Sequence, residues 1–278
     1  MTGRGGDAGS WKIRGEQLGK AIGATVEPNA NSVKGYDLAV VVKRPRADLL
    51  TRLRQRGVPL VWDVVDAWPQ PEGNLWERDQ CMAWLRKEVE TVRPEAIVAA
   101  TQAMAADLQE ITAAPVLALP HHARPGLARN PIRARIETLG YEGGEQYLGH
   151  WRERLENECE HRGWQFIVGP RSLAELDVVV ALRSQQGYAA RTWKSNVKLA
   201  NAQGSGTPIV CSPERGYEET QKAGVMWAVH ADGLRRSLDA LLSQNFRLQL
   251  QQALMADAPQ LEDVASRYKK WLMQIAAR

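Results

Sequence analysis

The feature that most restricts the fold is a series of short, continuous apolar runs separated by helical stretches. In order they are YDLAVVVKR, VPLVWDVVD, EAIVAA and APVLALP, then IETLGYEGG, WQFIVG, LDVVVALR, TPIVCS and MWAVHA. A strand with one solvated face alternates apolar and polar residues, whereas an unbroken apolar run marks a strand covered on both faces. Between the runs lie stretches of helical character: residues 10–22, 47–57, about 73–93, one beginning near Thr101, 146–163, about 195–203, and most of the C-terminal segment. Strands alternating with helices in this way predict an α/β protein with parallel sheets. The pattern pauses in the Arg- and Pro-containing segment 123–133 and then restarts. Two doubly wound domains are therefore expected, 1–128 and 129–278, the second carrying the terminal helices.

One stretch departs from this scheme. GRGGDAGS comes almost at once, with no apolar run before it, where a doubly wound domain normally opens with a strand leading into its glycine loop. Either the first strand is missing or the first sheet begins differently. Gly3, Gly5, Gly6 and Gly9 fit a flexible terminus as well as they fit an anion-binding loop ahead of a helix starting at Ser10. With 44% hydrophobic residues, 278 positions can build real cores, yet no apolar run approaches the ~18 residues of a membrane span. MTGRGGDAGSWKIRGEQ lacks the apolar middle of a secretory signal, so a cytoplasmic location is expected. Cys81, Cys159 and Cys211 form no CxxC pair or Cys/His cluster and read as reduced, buried thiols, with no structural zinc site expected.

The formal charge is only +4, but the cations are clustered. KRPRADLLTRLRQRG (43–57) opposes Lys43, Arg44, Arg46, Arg52, Arg54 and Arg56 to the single acid Asp48, and HHARPGLARNPIRAR adds Arg124, Arg129, Arg133 and Arg135. Such patches suit a polyanionic partner. The alternative is a solvated helix face around Leu49, Leu50 and Leu53.

Open α/β sheets bind ligands beyond the carboxyl ends of their strands. In the second half, Gly143 and Gly144 follow a strand and precede a helix, where a phosphate can approach backbone N–H groups; a simple tight turn fits equally. Arg183 follows LDVVVAL, and Arg191, Lys194, Asn196 and Lys198 come soon after, a set suited to a pyrophosphate clamp. Glu214, Glu218 and Glu219 follow TPIVCS, and a carboxylate near a strand end is suited to ribose hydroxyls. No Asp-x-Asp pair occurs in these loops, so no metal site is expected.

KSNVKLANAQGSGTPIVCSPERGYEE resembles the donor-binding segment of GT-B glycosyltransferases, roughly Lys-x-x-Asn/Thr-Lys-Leu-x-Asn/Glu-Ala-x-Ala-x-Gly-Thr-Pro-Val-Val followed by a Pro/Gly-rich loop ending in Glu. LDVVVALR before it, PHHARPG at the end of the first half, and RPEAIVAATQAMAADL, similar to the family's strand followed by Ser-x-x-Met-x-x-x-Leu, extend the resemblance. The close match covers about residues 183–225. The resemblance implies two Rossmann-like domains facing a cleft, an N-terminal acceptor side and a C-terminal donor side. It implies a nucleotide-sugar co-substrate, UDP-sugar as best choice, and no tightly bound cofactor. Lys198 and Arg183 would hold the diphosphate, and Glu219 would approach the ribose or sugar. The retaining members' Glu-x7-Glu would fall on Trp193 and Asn201; its absence favours inversion.

An inverting reaction requires a general base. Asp66, just beyond the strand in VPLVWDVVD, is the first choice, with Asp63 capping or orienting the loop and His121 or His122 as rivals. Lys43, Arg44, Arg46 and Arg124 would then contact the acceptor or its phosphates. The favoured acceptor is a 5-hydroxymethylcytosine-type base in double-stranded DNA, as in phage DNA glucosyltransferases. A surface glycan or lipid-linked acceptor, or a non-catalytic nucleotide-binding protein of this fold, are the alternatives.

Overall fold

Both faces of every central strand are covered, as the unbroken apolar runs predict. The structure is a computed structural model and describes residues 1–6, 9–184 and 187–278. The chain forms two compact units. One comprises Met1–His121, Gly187–Ser195 and Gln260–Arg278; the other comprises His122–Gln186 and Asn196–Pro259.

The sheet of the first unit contains β1 (Thr2–Gly3), β2 (Glu27–Pro28), β3 (Ala39–Val42), β4 (Leu60–Val65), β5 (Ala96–Ala99) and β6 (Val116–Ala118). Its order is β2-β1-β3-β4-β5-β6, with every pairing parallel. All six residues of β4 are buried. Trp62 and Val64 point to one face, against Leu49, Leu50 and Leu53 of helix Ala47–Arg56, Leu85 of Arg78–Val92 and Met104 of Gln102–Gln109. Val61 points to the other, against Leu18 and against Val264, Tyr268 and Leu272 of helix Leu261–Ala276. Each such leucine contributes about 1.5–3 kcal/mol of burial.

The open question at the N-terminus resolves into a two-residue strand: Thr2 pairs with Glu27 and Val41. It is too short to show as an apolar run. Of the glycine stretch that follows, Asp7 and Ala8 lie outside the described residues. A helical stretch, Trp11–Gln17 and Leu18–Ala21, comes next.

In the second unit, β7 (Thr138–Tyr141), β8 (Gln165–Val168), β9 (Val178–Ala181), β10 (Ile209–Cys211) and β11 (Val225–Trp227) form a parallel sheet of order β11-β10-β9-β7-β8. One face packs on helices Trp151–Arg162 and Ala231–Ala240 through Leu155, Leu234 and Leu238. The other packs on Val197–Ser205 and Gln244–Ala256 through Leu199, Ala202 and Leu254.

A single division at 128/129 assigns two segments differently from their packing. Helix Leu261–Ala276 buries its apolar stripe on the first sheet. Gly187–Ser195 is drawn into the first unit by Trp193, which is fully buried and donates its indole N–H to Asp107 at 2.7 Å. Tyr188 and Arg78 also bond Asp107. Among the described residues, no helix is long and apolar enough to cross a membrane.

Candidate functional site

Each sheet order reverses direction once, between β7 and β9 in the second unit and between β1 and β3 in the first. Such a switch point opens a crevice beyond the strand ends. In the second unit the loop after β7 and the loop after β9 emerge side by side, with Tyr141 opposite Val180.

Tyr141, the last residue of β7, is buried, and its hydroxyl accepts a hydrogen bond from Lys198 Nζ at 2.9 Å. The ammonium group also lies 4.3 Å from the centre of the Tyr141 ring. Lys198 reaches this position from the first turn of helix Val197–Ser205, with buried Asn196 at the N-cap position. Burial pushes the Tyr141 hydroxyl up to about 12, so at neutral pH it keeps its proton while accepting from Lys198. Gly143 is what lets the loop pass so close. A Cβ there would lie 2.9 Å from Tyr141 Cε1 and 3.3 Å from Lys198 Cε. Gly144 follows at the N-cap of the turn Glu145–Tyr147.

Arg183 and Glu214, expected to face phosphate and ribose respectively, are bound to each other: Arg183 Nε donates to Glu214 Oε1 at 3.1 Å, and both are buried. The guanidinium lies 5.7 Å from the centre of the Tyr147 ring. Burial disfavours its charge, but the Glu214 carboxylate outweighs this and holds the Arg183 pKa above the usual arginine range. The second Glu214 oxygen is buried with no hydrogen-bond partner among the described residues. Glu218 and Glu219 are exposed, and Glu218 pairs with Arg215 at 3.2 Å.

Two side chains that converge on this crevice are not marked by the sequence reading. Tyr141 is one. Glu142 is the other: its carboxylate accepts from Asn201 Nδ2 at 2.9 and 3.1 Å and pairs with Arg124. The Arg124 backbone N–H donates to Asn201 Oδ1 at 3.1 Å. Asn201 thus fixes a carboxylate from the loop after β7. A strand end followed by Glu-Gly-Gly is the local signal that marks Glu142.

Arg191 and Lys194, expected in the same clamp, belong to the first unit. Arg191 is exposed. Lys194 bonds Asp66, which also accepts from Lys43 Nζ at 2.7 Å, and Lys43 in turn reaches Ser10 Oγ at 3.3 Å. Lys194 Nζ stands 5.2 Å from the Trp68 ring. The backbone here is strained, since Lys43 and the β-branched Val65 have φ of 70° and 54°. These are the residues just after β3 and at the end of β4, and they aim Lys43 and Asp66 at one another. Burial opposes ionisation of Asp66, but the ammonium groups of Lys194 and Lys43 overcome it and hold the carboxyl well below the usual carboxylate range.

Asp63 is fully buried on the opposite face of β4, with Arg14 Nε at 3.9 Å. Burial raises its pKa against the pull of Arg14. His121 and His122 are also buried.

The basic runs are largely engaged within their own units. Arg44 donates to the Trp68 carbonyl at 3.2 Å, Arg46 to the Ala30 carbonyl at 3.1 Å, and Arg54 to the Val92 carbonyl at 3.2 Å. Arg52 pairs with Asp48 at 2.8 Å. Arg124, expected on the acceptor side, lies in the second unit on Glu142, as do Arg129 on Gln251 and Arg133 on Asp177.

No protein-family model matches the chain, and no curated protein matches it in sequence. Solved structures do match in fold. A glycosyltransferase from Rickettsia africae ESF-5 superposes with a TM-score of 0.60 at 9% identity, over 99% of this chain and 97% of that one. Anabaena HepE in complex with UDP and glucose gives a TM-score of 0.60 at 12% identity, over 86% and 78%. Sucrose-phosphate synthase from Thermosynechococcus elongatus gives 0.55 at 13%, over 88% and 75%. Two parallel α/β sheets with terminal helices, matching these structures, define the GT-B fold.

Proposed function

We propose that the chain is a glycosyltransferase that moves a sugar from a nucleotide-sugar, UDP-sugar as first choice, to an acceptor hydroxyl. The observation that carries this reading is the convergence at the switch point of the second sheet. Lys198 lies across the glycine turn after β7 and bonds the protonated Tyr141 hydroxyl, whose charge environment includes the buried Arg183–Glu214 pair. A cation, a hydroxyl donor and backbone N–H groups suit a diphosphate. The unpartnered Glu214 oxygen suits a ribose hydroxyl. HepE, of the same fold, was solved with UDP and glucose, which supports UDP as the first ligand to test.

Inversion is the favoured course, because by the resemblance Trp193 and Asn201 fall where retaining enzymes carry their acids; the lack of an Asp-x-Asp pair in the strand-end loops favours a course without a metal. In this reading the proton acceptor is His122. Asp66 is too acidic for the task between its two lysines, and Asp63 faces the Arg14 guanidinium. Hydroxymethylcytosine in DNA is the acceptor that the phage-enzyme resemblance suggests, with a glycan as the alternative. The engagement of the basic runs within each unit weakens it relative to a glycan.

The test is calorimetric titration with UDP and UDP-glucose, followed by turnover assays with several nucleotide-sugars. Lys198→Met is expected to weaken UDP binding about tenfold or more, and product NMR to show an inverted anomeric centre. If neither UDP nor any nucleotide-sugar binds, glycosyl transfer is refuted in favour of a protein that only shares the fold.

A further inference from the structure

A cavity of about 580 Å³ opens in the first unit beside the carboxyl ends of β3 and β4. The loops after both strands form part of it, and helices Ala47–Arg56 and Arg78–Val92 form the rest. Its chemistry is mixed. Lys43 and Arg44 supply donors on one side, Glu72 and Glu88 supply carboxylates on another, and Gln70 carries both functions. Trp84 adds an indole, half-buried and backed by Trp193 at a ring-centre distance of 6.4 Å.

Three ligand chemistries can be weighed against this lining. A polyanion would meet Glu72 and Glu88, for which the described residues provide no hydrogen-bond or ion-pair partner, while Lys43 is already bonded to Asp66. A cation would meet Arg44, whose charge the neutral Trp68 carbonyl does not offset. A polyhydroxylated ring meets neither obstacle, because each hydroxyl both donates and accepts, and its C–H face covers an indole. The volume lies within the range of small-molecule sites, about 300–1,000 Å³.

We propose that this cavity is a saccharide-binding site and that the acceptor is a carbohydrate, one neutral sugar of which is held by Trp84, Glu72 and Glu88. The word acceptor rests on the glycosyl-transfer reading above; the binding of saccharide does not.

The experiment is calorimetric titration of the full chain with maltotriose, cellotriose and chitotriose, and with hydroxymethylcytosine duplex DNA. UDP is titrated in parallel. At least one trisaccharide is expected to bind at millimolar concentration or tighter. Glu72→Gln and Glu88→Gln, both at accessible positions, are each expected to weaken that binding about tenfold and to leave UDP binding unchanged. Saccharide binding that is equal in both variants and the parent overturns the site. So does UDP binding with no trisaccharide bound, or binding of the duplex alone. Saccharide binding without UDP binding supports the cavity and counts against glycosyl transfer, so the two readings fail separately.

Discussion

Asp66→Asn isolates one electrostatic arrangement at nearly constant volume. The Asp66 side chain, 10% exposed, lies between the ammonium groups of Lys43 and Lys194, whose side chains are 28% and 16% exposed. Removing one member of a buried ion pair costs about 3–5 kcal/mol, because the remaining charge loses its counter-charge without regaining water. Partial exposure of both lysines discounts this to about 3 kcal/mol or slightly less. The pH dependence has a definite sign. The folded carboxyl titrates below its unfolded value near 3.9. Its contribution is therefore complete above that value and is lost as pH falls toward the folded pKa. The parent should be more stable than Asp66→Asn by about 3 kcal/mol at neutral pH, and the gap should narrow below about pH 4. Urea unfolding followed by tryptophan fluorescence measures it, with Trp68 next to Lys194 as a local reporter. A difference under about 0.5 kcal/mol at neutral pH, or one that does not change on acidification, refutes the reasoning.

Gly143→Ala should weaken UDP binding about tenfold, about 1.4 kcal/mol, with an unchanged far-ultraviolet spectrum, because the new methyl displaces Lys198 and Tyr141; calorimetry decides it. Asn201→Asp sets a second carboxylate against Glu142, so the loss of stability should grow as pH rises from about 4 to 7. A loss that is equal at all pH values in thermal unfolding would assign the effect to shape instead of charge. Gly187→Ala would place Cβ 2.3 Å from the Asn74 carbonyl oxygen, and should destabilise the first unit by about 1–3 kcal/mol in urea unfolding.

What the sequence showed depended on how local the cause is. Runs such as LDVVVALR and VPLVWDVVD are strands because their own residues must be buried on both faces, so β9 and β4 were visible without any partner. β1 and β2 were not, because two-residue strands carry no pattern. The packing of helix Leu261–Ala276 was hidden for another reason: its apolar stripe says that it packs, but not on which sheet.

The site follows the same rule. Gly143 is marked by a glycine pair after a strand and Lys198 by the spacing of KSNVKLANAQG, two separate local signals, and the residues do lie together. Charged pairs from distant segments are different, because a sequence lists charges without their counter-charges. Arg183 and Glu214 each have the right chemistry for a ligand, yet one oxygen of Glu214 is already taken by Arg183. Asp66 shows the consequence most sharply. Its place directly after β4 fits a general base. Its pKa, however, is set by Lys43 and by Lys194, which is 128 positions away, and two ammonium groups remove the basicity that the position suggested. If His122 is the proton acceptor, Asp66→Asn should lower turnover by releasing Lys43 and Lys194 while leaving the acid limb of the pH–rate profile in place. A shift of that limb would return the role to Asp66.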